Sequence, residues 1–362
     1  MPDPAKSYSC RKYAAGICEM FYGIALILIF IGSGLSVYFE SVVLRMGLSG
    51  YAAKAVFLLI SLLLYSLFNL PFVFYSGYAL EHKFHLSLQK AGDWWLDQVK
   101  SFALGYVAVL ILVYGFYWIL GRFSQWWIAV SVFWIFFVVI LARLTPVVIV
   151  PLFFKYRKIE DISLRGRILD LAGKMKVGLL DVFEIDFSKK TMKANAALIG
   201  AGNAKRVILA DTLKDKYSYD EIECILAHEF AHFRLRHIVK IITVNSLLTS
   251  GLLYLIFRTN SYFLHLFGID SLASLAGIPV LFLYFSVFGF VMRPLEAYIS
   301  RRFERQADML ALRTTGNKEA FVSVMEKLAA QNLSDKSPHP LVKFFFFDHP
   351  PISERIERAR SF

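Results

Sequence analysis

Cysteine is scarce in this chain. Only Cys10, Cys18 and Cys224 occur among its 362 residues. An odd and sparse set of this kind is not a disulfide framework, so the polar parts of the chain need not face an oxidising compartment. Cys224 lies one helical turn before a histidine pair, and we interpret it as a small buried residue.

Acidic side chains are also few. The chain has 28 Asp and Glu against 40 Lys and Arg, a net charge of +12. Such an excess is compatible with nucleic-acid binding or with an anionic membrane face. No nucleic-acid motif accompanies it, and the basic residues cluster beside long apolar runs. The pattern favours a lipid bilayer as partner and predicts no nucleic-acid partner.

Polar sequence is limited as well, since 57% of the residues are hydrophobic and only 19% are charged. An ordinary soluble domain is about 45–50% apolar, so a second apolar environment is needed. A helix of about 20 apolar residues crosses a bilayer. Lys6, Arg11 and Lys12 precede the first run as in a signal peptide, but that run is too long for one. The predicted spans are 20–38, 56–79, 102–120, 126–153, 241–258 and 273–293.

The spans and their flanking charges predict the organisation of the chain. Basic residues concentrate in the N-terminal tail, in 80–101 and in the two long polar segments, which an even number of spans places on one face. The positive-inside rule predicts that this face is cytoplasmic. The predicted parts are a four-span membrane domain (1–153), a catalytic segment (154–240), two further spans (241–293) and a second catalytic segment (294–362).

The first polar segment mixes helix and strand signals. A helical pattern lies near Ile162–Met175. Short β-rich runs at Val182–Phe187, Ala194–Ile199 and Arg206–Ala210 predict a small sheet, with a turn that includes Gly202 and Asn203.

Ser218 and Glu221 form a capping box, the signature of a helix start. Neither Gly nor Pro follows before Ser250, which predicts one long helix that continues into the fifth span. Helices are also predicted at 295–314, 318–331 and after Pro350–Pro351.

His228-Glu229-Phe-Ala-His232 is the strongest chemical signal. Residues i and i+4 share one helix face, so both imidazoles can reach a single metal ion. Glu229 lies beside them, where it can accept a proton from a water that the ion activates. A chance match is expected in roughly one such sequence in a hundred, but chance does not also place the motif in a capped helix.

A catalytic zinc usually has three protein ligands and an open position for water. Glu304 is the best candidate for the third ligand, and Asp308, one turn later, can orient a ligand histidine. From these residues alone, an ordinary acidic pair on a solvated helix, beside Arg301, Arg302 and Arg305, is the preferred interpretation.

Several further motifs accompany HExxH and ExxxD. They are Leu70-Pro71-Phe72, Glu81–Phe84, Val150–Phe153, Asn195-Ala196, Arg206–Leu213 and His349-Pro350-Pro351 with Glu354-Arg355-Ile356. Together they resemble the membrane metalloproteases of family M48, above all the Ste24-type CAAX prenyl protease.

The resemblance implies a fold and a metal site. The implied fold is an α-helical membrane barrel around an interior chamber, with a thermolysin-like zincin region that contains the small sheet. The implied ligands of one Zn²⁺ per chain are His228, His232 and Glu304. Glu229 is then the general base, and Asp308 is the carboxylate that supports a ligand histidine.

Three more residues receive roles from the resemblance. Asn195 and Ala196 are similar to the strand that pairs with extended substrate, although Asn195 also fits a plain strand-edge residue. His349 is similar to a residue that helps to bind substrate or the oxyanion, although in Asp-His-Pro-Pro it also fits a helix-start turn. The remaining histidines lie at span edges or in loops, and most of them are interpreted as interfacial bystanders: His82, His85, His237, His265 and His339.

The chain departs from the family pattern in two respects. The eukaryotic prenyl proteases have seven spans where about six are predicted here, and the interior of HExxH is Phe-Ala where Leu-Gly is frequent. Both changes leave the metal chemistry intact.

These features predict a membrane-embedded zinc endopeptidase that acts on peptide or protein substrates, prenylated CaaX-type tails in particular. No oligomer is implied. One alternative is a broader quality-control membrane protease. Another is a non-enzymatic membrane protein with a structural zinc, which would need a fourth protein ligand that no Cys or His near Glu304 offers. A site-2-type protease would place HExxH within an apolar span and pair it with Asp-Gly, which this chain does not do.

Overall fold

A computed structural model describes residues 3–200, 205–214 and 216–362. The predicted turn residues Gly202 and Asn203 lie outside the described residues. The predicted fold class is confirmed, because long helices dominate and one small sheet lies in the polar part of the chain.

Six helical runs in the described part of the chain are long and apolar enough to cross a membrane, as predicted. Most of their side chains are not buried in the protein, which suits a surface whose solvent is lipid. The runs are formed by α1 (Pro4–Gly32), α3 and α4 (Gly50–Phe74 and Leu80–Lys83), α5 (Ala91–Leu120), α6 and α7 (Trp126–Leu144 and Val150–Phe153), α10 (His237–Leu266) and α11 (Ile278–Thr315).

The predicted bounds of the first span were wrong. The helix covers Pro4–Gly32 rather than 20–38, and a separate helix α2 (Leu35–Arg45) follows. Gly34 lies between them with a φ of 77°, a left-handed conformation that glycine adopts without steric cost. Hydropathy alone did not register this turn because apolar residues continue on both sides of it.

Proline distorts two of the spans without ending them. Pro71 lies inside α3, and a π-helical turn at Tyr75–Ala79 joins α3 to α4. A similar turn at Thr145–Ile149 joins α6 to α7 and contains Pro146. Proline removes one backbone donor and crowds the preceding turn, and the wider π-helical turn accommodates that crowding.

The sheet has four strands in the order β1-β2-β4-β3. Strands β2 and β4 are parallel, and the two outer pairs are antiparallel. The helix α8 (Ile162–Lys174) connects β1 to β2. The sequence did not reveal β1, which is only three residues long. The strands are β1 (Tyr156–Lys158), β2 (Asp181–Ile185), β3 (Ala196–Ile199) and β4 (Arg206–Ala210).

The predicted continuous helix from Ser218 into the fifth span was wrong. Helix α9 (Tyr219–Arg234) ends, and α10 starts at His237 after a reversal at Arg236, whose φ is 55°. This conformation is strained for a non-glycine residue. Because no glycine marks the position, the local sequence did not predict the break. His237 is fully buried and stacks on Phe303, which is the tertiary contact that the break serves.

Three helices complete the C-terminal segment, two of them predicted. They are α12 (Lys318–Gln331), α13 (Pro340–Phe346), which was not predicted, and α14 (Ile352–Arg360). The apolar residues form two main cores. One unites the spans, and the other unites the sheet with α8, α9, the end of α11 and α12. The histidine motif lies in the second core.

Candidate metal and catalytic site

Helix α9 carries the HExxH motif, and its first turn is closed by the predicted capping box. The Glu221 amide donates to the Ser218 hydroxyl (3.3 Å), and the Ser218 amide donates to Glu221 Oε2 (2.7 Å). Glu221 also accepts hydrogen bonds from Ser323 and Lys327 on α12. Hydrogen bonds therefore stabilise the first turn of α9 internally and also connect it to α12. Cys224 is buried, as predicted.

Small side chains bring α9 and α11 together. Ala227 and Ala231 on α9 and Ala307 and Ala311 on α11 are all fully buried in the same core. Because alanine projects only a methyl group, the two helix backbones can approach closely. The side chains next to these alanines, including Glu304 on α11, consequently reach the same space as the histidines of α9.

The donor atoms of His228, His232 and Glu304 converge on one point. All three lie within 4.8 Å of one another. His228 Nε2 is 3.1 Å from His232 Nε2 and 3.2 Å from Glu304 Oε2, and His232 Nε2 is 3.1 Å from Glu304 Oε1. Two imidazole nitrogens and a carboxylate are the donor set of a catalytic zinc site.

This arrangement fits a cation better than it fits hydrogen bonding within the protein. Two Nε2 atoms face each other, and Glu304 Oε2 is buried without a hydrogen bond of acceptable geometry. A buried acceptor left unsatisfied costs about 1–3 kcal/mol, and a metal ion would satisfy it. We conclude that the residues present fit a zinc ion.

His228 is oriented by an ionic pair. Its Nδ1 lies 2.9 Å from Asp308 Oδ1, and Arg355 donates to both Asp308 oxygens at 2.9 and 2.6 Å. Burial alone would lower the pKa of His228, but the hydrogen bonds to Asp308 and Glu304 outweigh it and raise the pKa to about 10. A proton must leave Nε2 before this nitrogen can bind a metal. Arg355 belongs to a motif quoted above, but no role was predicted for it.

His232 is oriented by a neutral pair instead. Its Nδ1 lies 3.1 Å from Nδ1 of His237, whose Nε2 lies 3.0 Å from Oε1 of Gln306. With Nε2 of His232 free for a metal, its Nδ1–H donates to His237, and His237 Nε2–H donates to Gln306. The prediction that His237 is an interfacial bystander was wrong. Its place five residues after His232 was the only sequence signal.

Glu229 and His349 lie at the same cavity, which has a volume of about 480 Å³. Burial raises the pKa of Glu229 above its ordinary value. His349 Nε2 lies 3.4 Å from Glu304 Oε2, and its Nδ1 lies 2.9 Å from Asp348 Oδ1. Burial would lower the pKa of His349, but Asp348 and Glu304 raise it. The structure thus brings His349, from the loop before α14, to the metal donors.

Asn195 and Ala196 also line this cavity, on the side formed by the sheet. Ala196 is the first residue of β3, which pairs only with β4 among the described residues, and the Asn195 carbonyl accepts from the Ala210 amide at 3.0 Å. The outer edge of β3 offers backbone groups to which an extended peptide can bond.

Residues 158–362 match Peptidase family M48, and residues 3–155 match "CAAX prenyl protease N-terminal, five membrane helices". The chain belongs to peptidase family M48. Residues 3–155 contain four of the six candidate spans of the described residues, together with the shorter α2.

Individual relatives agree with the family assignment. The chain is 30% identical to an uncharacterized metalloprotease, YhfN, of Bacillus subtilis, over 99% of this chain and 87% of the relative. It is 32% identical to CAAX prenyl protease 1 of Saccharomyces cerevisiae, over 80% of this chain and 68% of the relative. A crystal structure of S. mikatae Ste24p superposes with a TM-score of 0.89 at 28% identity, covering 98% of this chain and 88% of that one.

The predicted recognition and enzyme class are confirmed. The chain is a multi-pass, membrane-embedded metalloprotease of the Ste24/CAAX prenyl protease type, and it acts on peptide or protein substrates.

Proposed function

We propose that this M48 metalloprotease uses one zinc ion per chain to cleave CaaX-type C-terminal peptides, prenylated ones in particular. The convergence of His228, His232 and Glu304 within 4.8 Å, beside Glu229, is the observation that carries the proposal. A bound zinc ion would polarise the scissile carbonyl and acidify the attacking water.

Glu229 is the proposed general base and acid. Its raised pKa brings the carboxylate closer to neutral pH, where it can both take a proton from water and return it. It accepts the proton of the attacking water and then donates it to the departing amine. Asp308 and Arg355 hold the ring of His228, and His237 holds the ring of His232.

His349, Asn195 and Ala196 are proposed to contact the substrate. The raised pKa of His349 favours the protonated ring, whose Nε2–H can donate to the oxygen that gains negative charge in the transition state. The free edge of β3 pairs with the extended substrate backbone at Asn195 and Ala196. A strand-like pose fixes the scissile carbonyl against the cavity wall that bears Glu229.

The substrate class rests on similarity and on membrane placement. The yeast relative is a CAAX prenyl protease, and the family match covers the membrane domain as well as the catalytic part. A prenylated tail is held at a bilayer, where this protein resides. We also propose that the segments 154–240 and 294–362 lie on the cytoplasmic face, because Lys and Arg concentrate beside the spans on that side.

Hydrolysis of matched farnesylated and unmodified CaaX peptides by the purified protein tests the proposal. We expect cleavage of the farnesylated peptide, and loss of cleavage on zinc chelation and in Glu229→Gln. Gln keeps the size of Glu229 but cannot carry the proton, so cleavage should be lost. Glu229 is not one of the three metal donors, so zinc content should stay unchanged.

Comparable cleavage of both peptides would instead support a quality-control protease without a lipid requirement. Absence of cleavage in protein that retains zinc would contradict the proposed substrate class. Protease protection of a C-terminal tag in sealed vesicles tests the membrane orientation.

A further inference from the structure

A groove whose charged side chains are all basic lies between α10, α11 and α14, outside the cavity that contains Glu229. It has a volume of about 790 Å³, and we call it the basic groove. None of its described lining residues is acidic, and its apolar lining is supplied by Leu235, Met309 and Leu310. Its cations are Lys240, Arg302, Arg305, Arg313 and Arg358.

Helix α11 supplies the long wall of the basic groove. Its lining residues recur every three or four positions, so they lie on one face of the helix: Arg302, Arg305, Met309 and Arg313. Arg302 and Arg305 lie one turn apart, and like charges at this spacing repel each other. An anion bound along this face would relieve the repulsion.

Most of these cations have no partner of opposite charge. Arg305 reaches Glu354 at 3.9 Å between Nη2 and Oε2, and Glu354 is also paired with Lys343. The other four cations form no ion pair within the part of the chain that the structure describes. Lys240 instead lies over the ring of Phe303, 5.6 Å from its centroid. The basic groove therefore carries positive charge that the protein does not compensate.

The basic groove opens at the membrane surface. Lys240 lies in the first turn of α10, directly before the predicted span 241–258. Its neighbours Ile238, Val239 and Ile241 are 55%, 60% and 38% exposed, although they are apolar. Exposed aliphatic side chains at the start of a membrane span suit contact with lipid rather than with water. The ammonium group of Lys240 therefore lies where the apolar interior of a bilayer gives way to lipid headgroups.

An anionic lipid headgroup fits both this charge and this position. Basic pockets between spans at a membrane surface bind the headgroups of anionic lipids. Arginine donates to phosphate oxygens through two parallel N–H groups, and lysine adds a point charge. A choline headgroup fits less well, because its own cation would meet only positive charge in the groove.

We propose that the basic groove binds the headgroup of an anionic phospholipid, with the phosphate between Lys240 and Arg302. Arg313 lies about 16 Å farther along α11, away from the spans, so it contributes less to binding. The inference goes beyond the proposed function, because lipid binding requires neither hydrolysis nor a particular substrate.

A headgroup in this position connects α10 to α11. Gln306 also lines the basic groove, and it accepts the hydrogen bond of His237, the first residue of α10. The connection therefore lies next to the pair of residues that orients His232.

Lipid titration of the purified full chain in dodecyl maltoside tests the inference. Phosphatidylglycerol and phosphatidylcholine are added separately, and native mass spectrometry counts the lipid molecules bound per chain. We expect phosphatidylglycerol to bind at least about tenfold more tightly than phosphatidylcholine. Inorganic phosphate and glycerophosphoglycerol, the same headgroup without acyl chains, are added as competitors, and neither should displace the lipid at equal concentration.

Variants of the groove locate the site. Lys240→Gln with Arg302→Gln should weaken phosphatidylglycerol binding about 30-fold, since each basic side chain near an anionic lipid surface contributes about fivefold. Arg313→Gln should weaken it by less than about fivefold. Lys240→Arg with Arg302→Lys keeps both charges and should retain most of the binding. Arg302→Gln alone, at an exposed side chain, replaces the double variant if that one fails to fold.

Lys83→Gln with Arg293→Gln is the matched control, because it also removes one lysine and one arginine near the ends of spans. Lys83 is the last residue of α4, and Arg293 precedes Arg302 on α11. Both side chains are exposed, both lack an ion pair among the described residues, and neither lines the basic groove. Loss of these two charges should leave the affinity for phosphatidylglycerol unchanged.

Equal affinity for the two phospholipids would overturn the inference, as would unchanged phosphatidylglycerol affinity in the groove variants. An equal loss of affinity in the control variant would also overturn it, because the attraction would then belong to the basic ends of the spans in general. Displacement of the lipid by inorganic phosphate would contradict a lipid as the occupant and indicate a site for a free anion.

Discussion

The two candidate ligand histidines sit four residues apart on one helix, yet their supports differ in kind. His228 is held by Asp308 and Arg355, an ionic pair contributed by α11 and α14. His232 is held by His237 and Gln306, a neutral pair contributed by the first residue of α10 and by α11. Each support orients a ring nitrogen toward the same point.

This difference indicates how the site depends on the rest of the molecule. The ionic support belongs to the C-terminal segment and contains buried charges, so loss of one partner leaves the other uncompensated. In the neutral support, His237 is the first residue of the membrane-spanning helix α10 and Gln306 lies on α11. The geometry of this support therefore depends on how α10 and α11 pack in the bilayer. The orientation of His228 should therefore depend on the buried charges, and the orientation of His232 should depend on the packing of the membrane helices.

Breaking the ionic support should have the largest effect. Asp308→Asn keeps the shape of the side chain but leaves the Arg355 guanidinium buried without a carboxylate, which costs about 3–5 kcal/mol. Zinc affinity should also fall about 10–100-fold, as expected when a ligand histidine loses its carboxylate partner. Thermal unfolding and zinc titration measure the two effects.

The Asp308→Asn, Arg355→Met double variant separates stability from metal binding. It should recover most of the stability, because no unpaired charge remains, while zinc binding stays weak. Equal zinc affinity in the double variant and in the parent protein would contradict the role of Asp308 in orienting His228.

Breaking the neutral support should have a smaller effect. His237→Phe retains the stacking on Phe303, whose ring centroid is 4.5 Å away, and removes the hydrogen bond to His232. We expect zinc affinity to fall about tenfold, at the lower end of the range for such partners. Metal titration of the His237→Phe and Asp308→Asn variants side by side checks the order of the two effects. A larger loss of zinc affinity in His237→Phe would show that the neutral support matters more than the ionic one.

The other end of α9 should show a pH dependence of its own. Burial raises the pKa of Glu221, but hydrogen bonds from Lys327, Ser323 and the Ser218 amide outweigh it and hold the pKa below its ordinary value. A carboxyl with a lowered folded-state pKa stabilises the fold above its unfolded pKa of about 4.3, and this stabilisation is lost as the pH falls through the folded value.

Glu221→Gln should therefore cost about 1 kcal/mol at neutral pH, the usual size of a helix-cap contribution, and the cost should disappear in acid. Unfolding midpoints of both proteins across the acidic range measure this. A constant difference at every pH would show that the carboxylate charge contributes nothing to the anchoring of α9.

The break between α9 and α10 should tolerate glycine, with the smallest effect of the set. Arg236 has a φ of 55°, which glycine adopts without strain, so Arg236→Gly should change stability by less than about 1 kcal/mol and leave zinc affinity unchanged. Arg236→Pro is the contrasting variant, because proline cannot adopt this φ and should displace His237. Unchanged zinc affinity in Arg236→Pro would separate the metal site from the position of α10.

The elements predicted best are those with a strong local signal. The helix at 318–331 and the start of α9 at Ser218 follow from capping and periodicity, and the structure has both. The break at Arg236 and the strand β1 have no such signal, since one depends on the burial of His237 and the other on pairing with β2. Local chemistry specifies an element only where it outweighs the contacts made after folding.

The sequence by itself determined that this chain spans a membrane and carries a metalloprotease motif, because hydropathy and the spacing of His228, Glu229 and His232 are properties of short segments. Only the tertiary structure decided how Glu304, His349 and His237 meet that motif, and how Lys240 and Arg302 come to line one groove. These residues lie on different helices and loops. Their approach depends on close packing of α9 against α11 and on the arrangement of the spans, which no local pattern encodes.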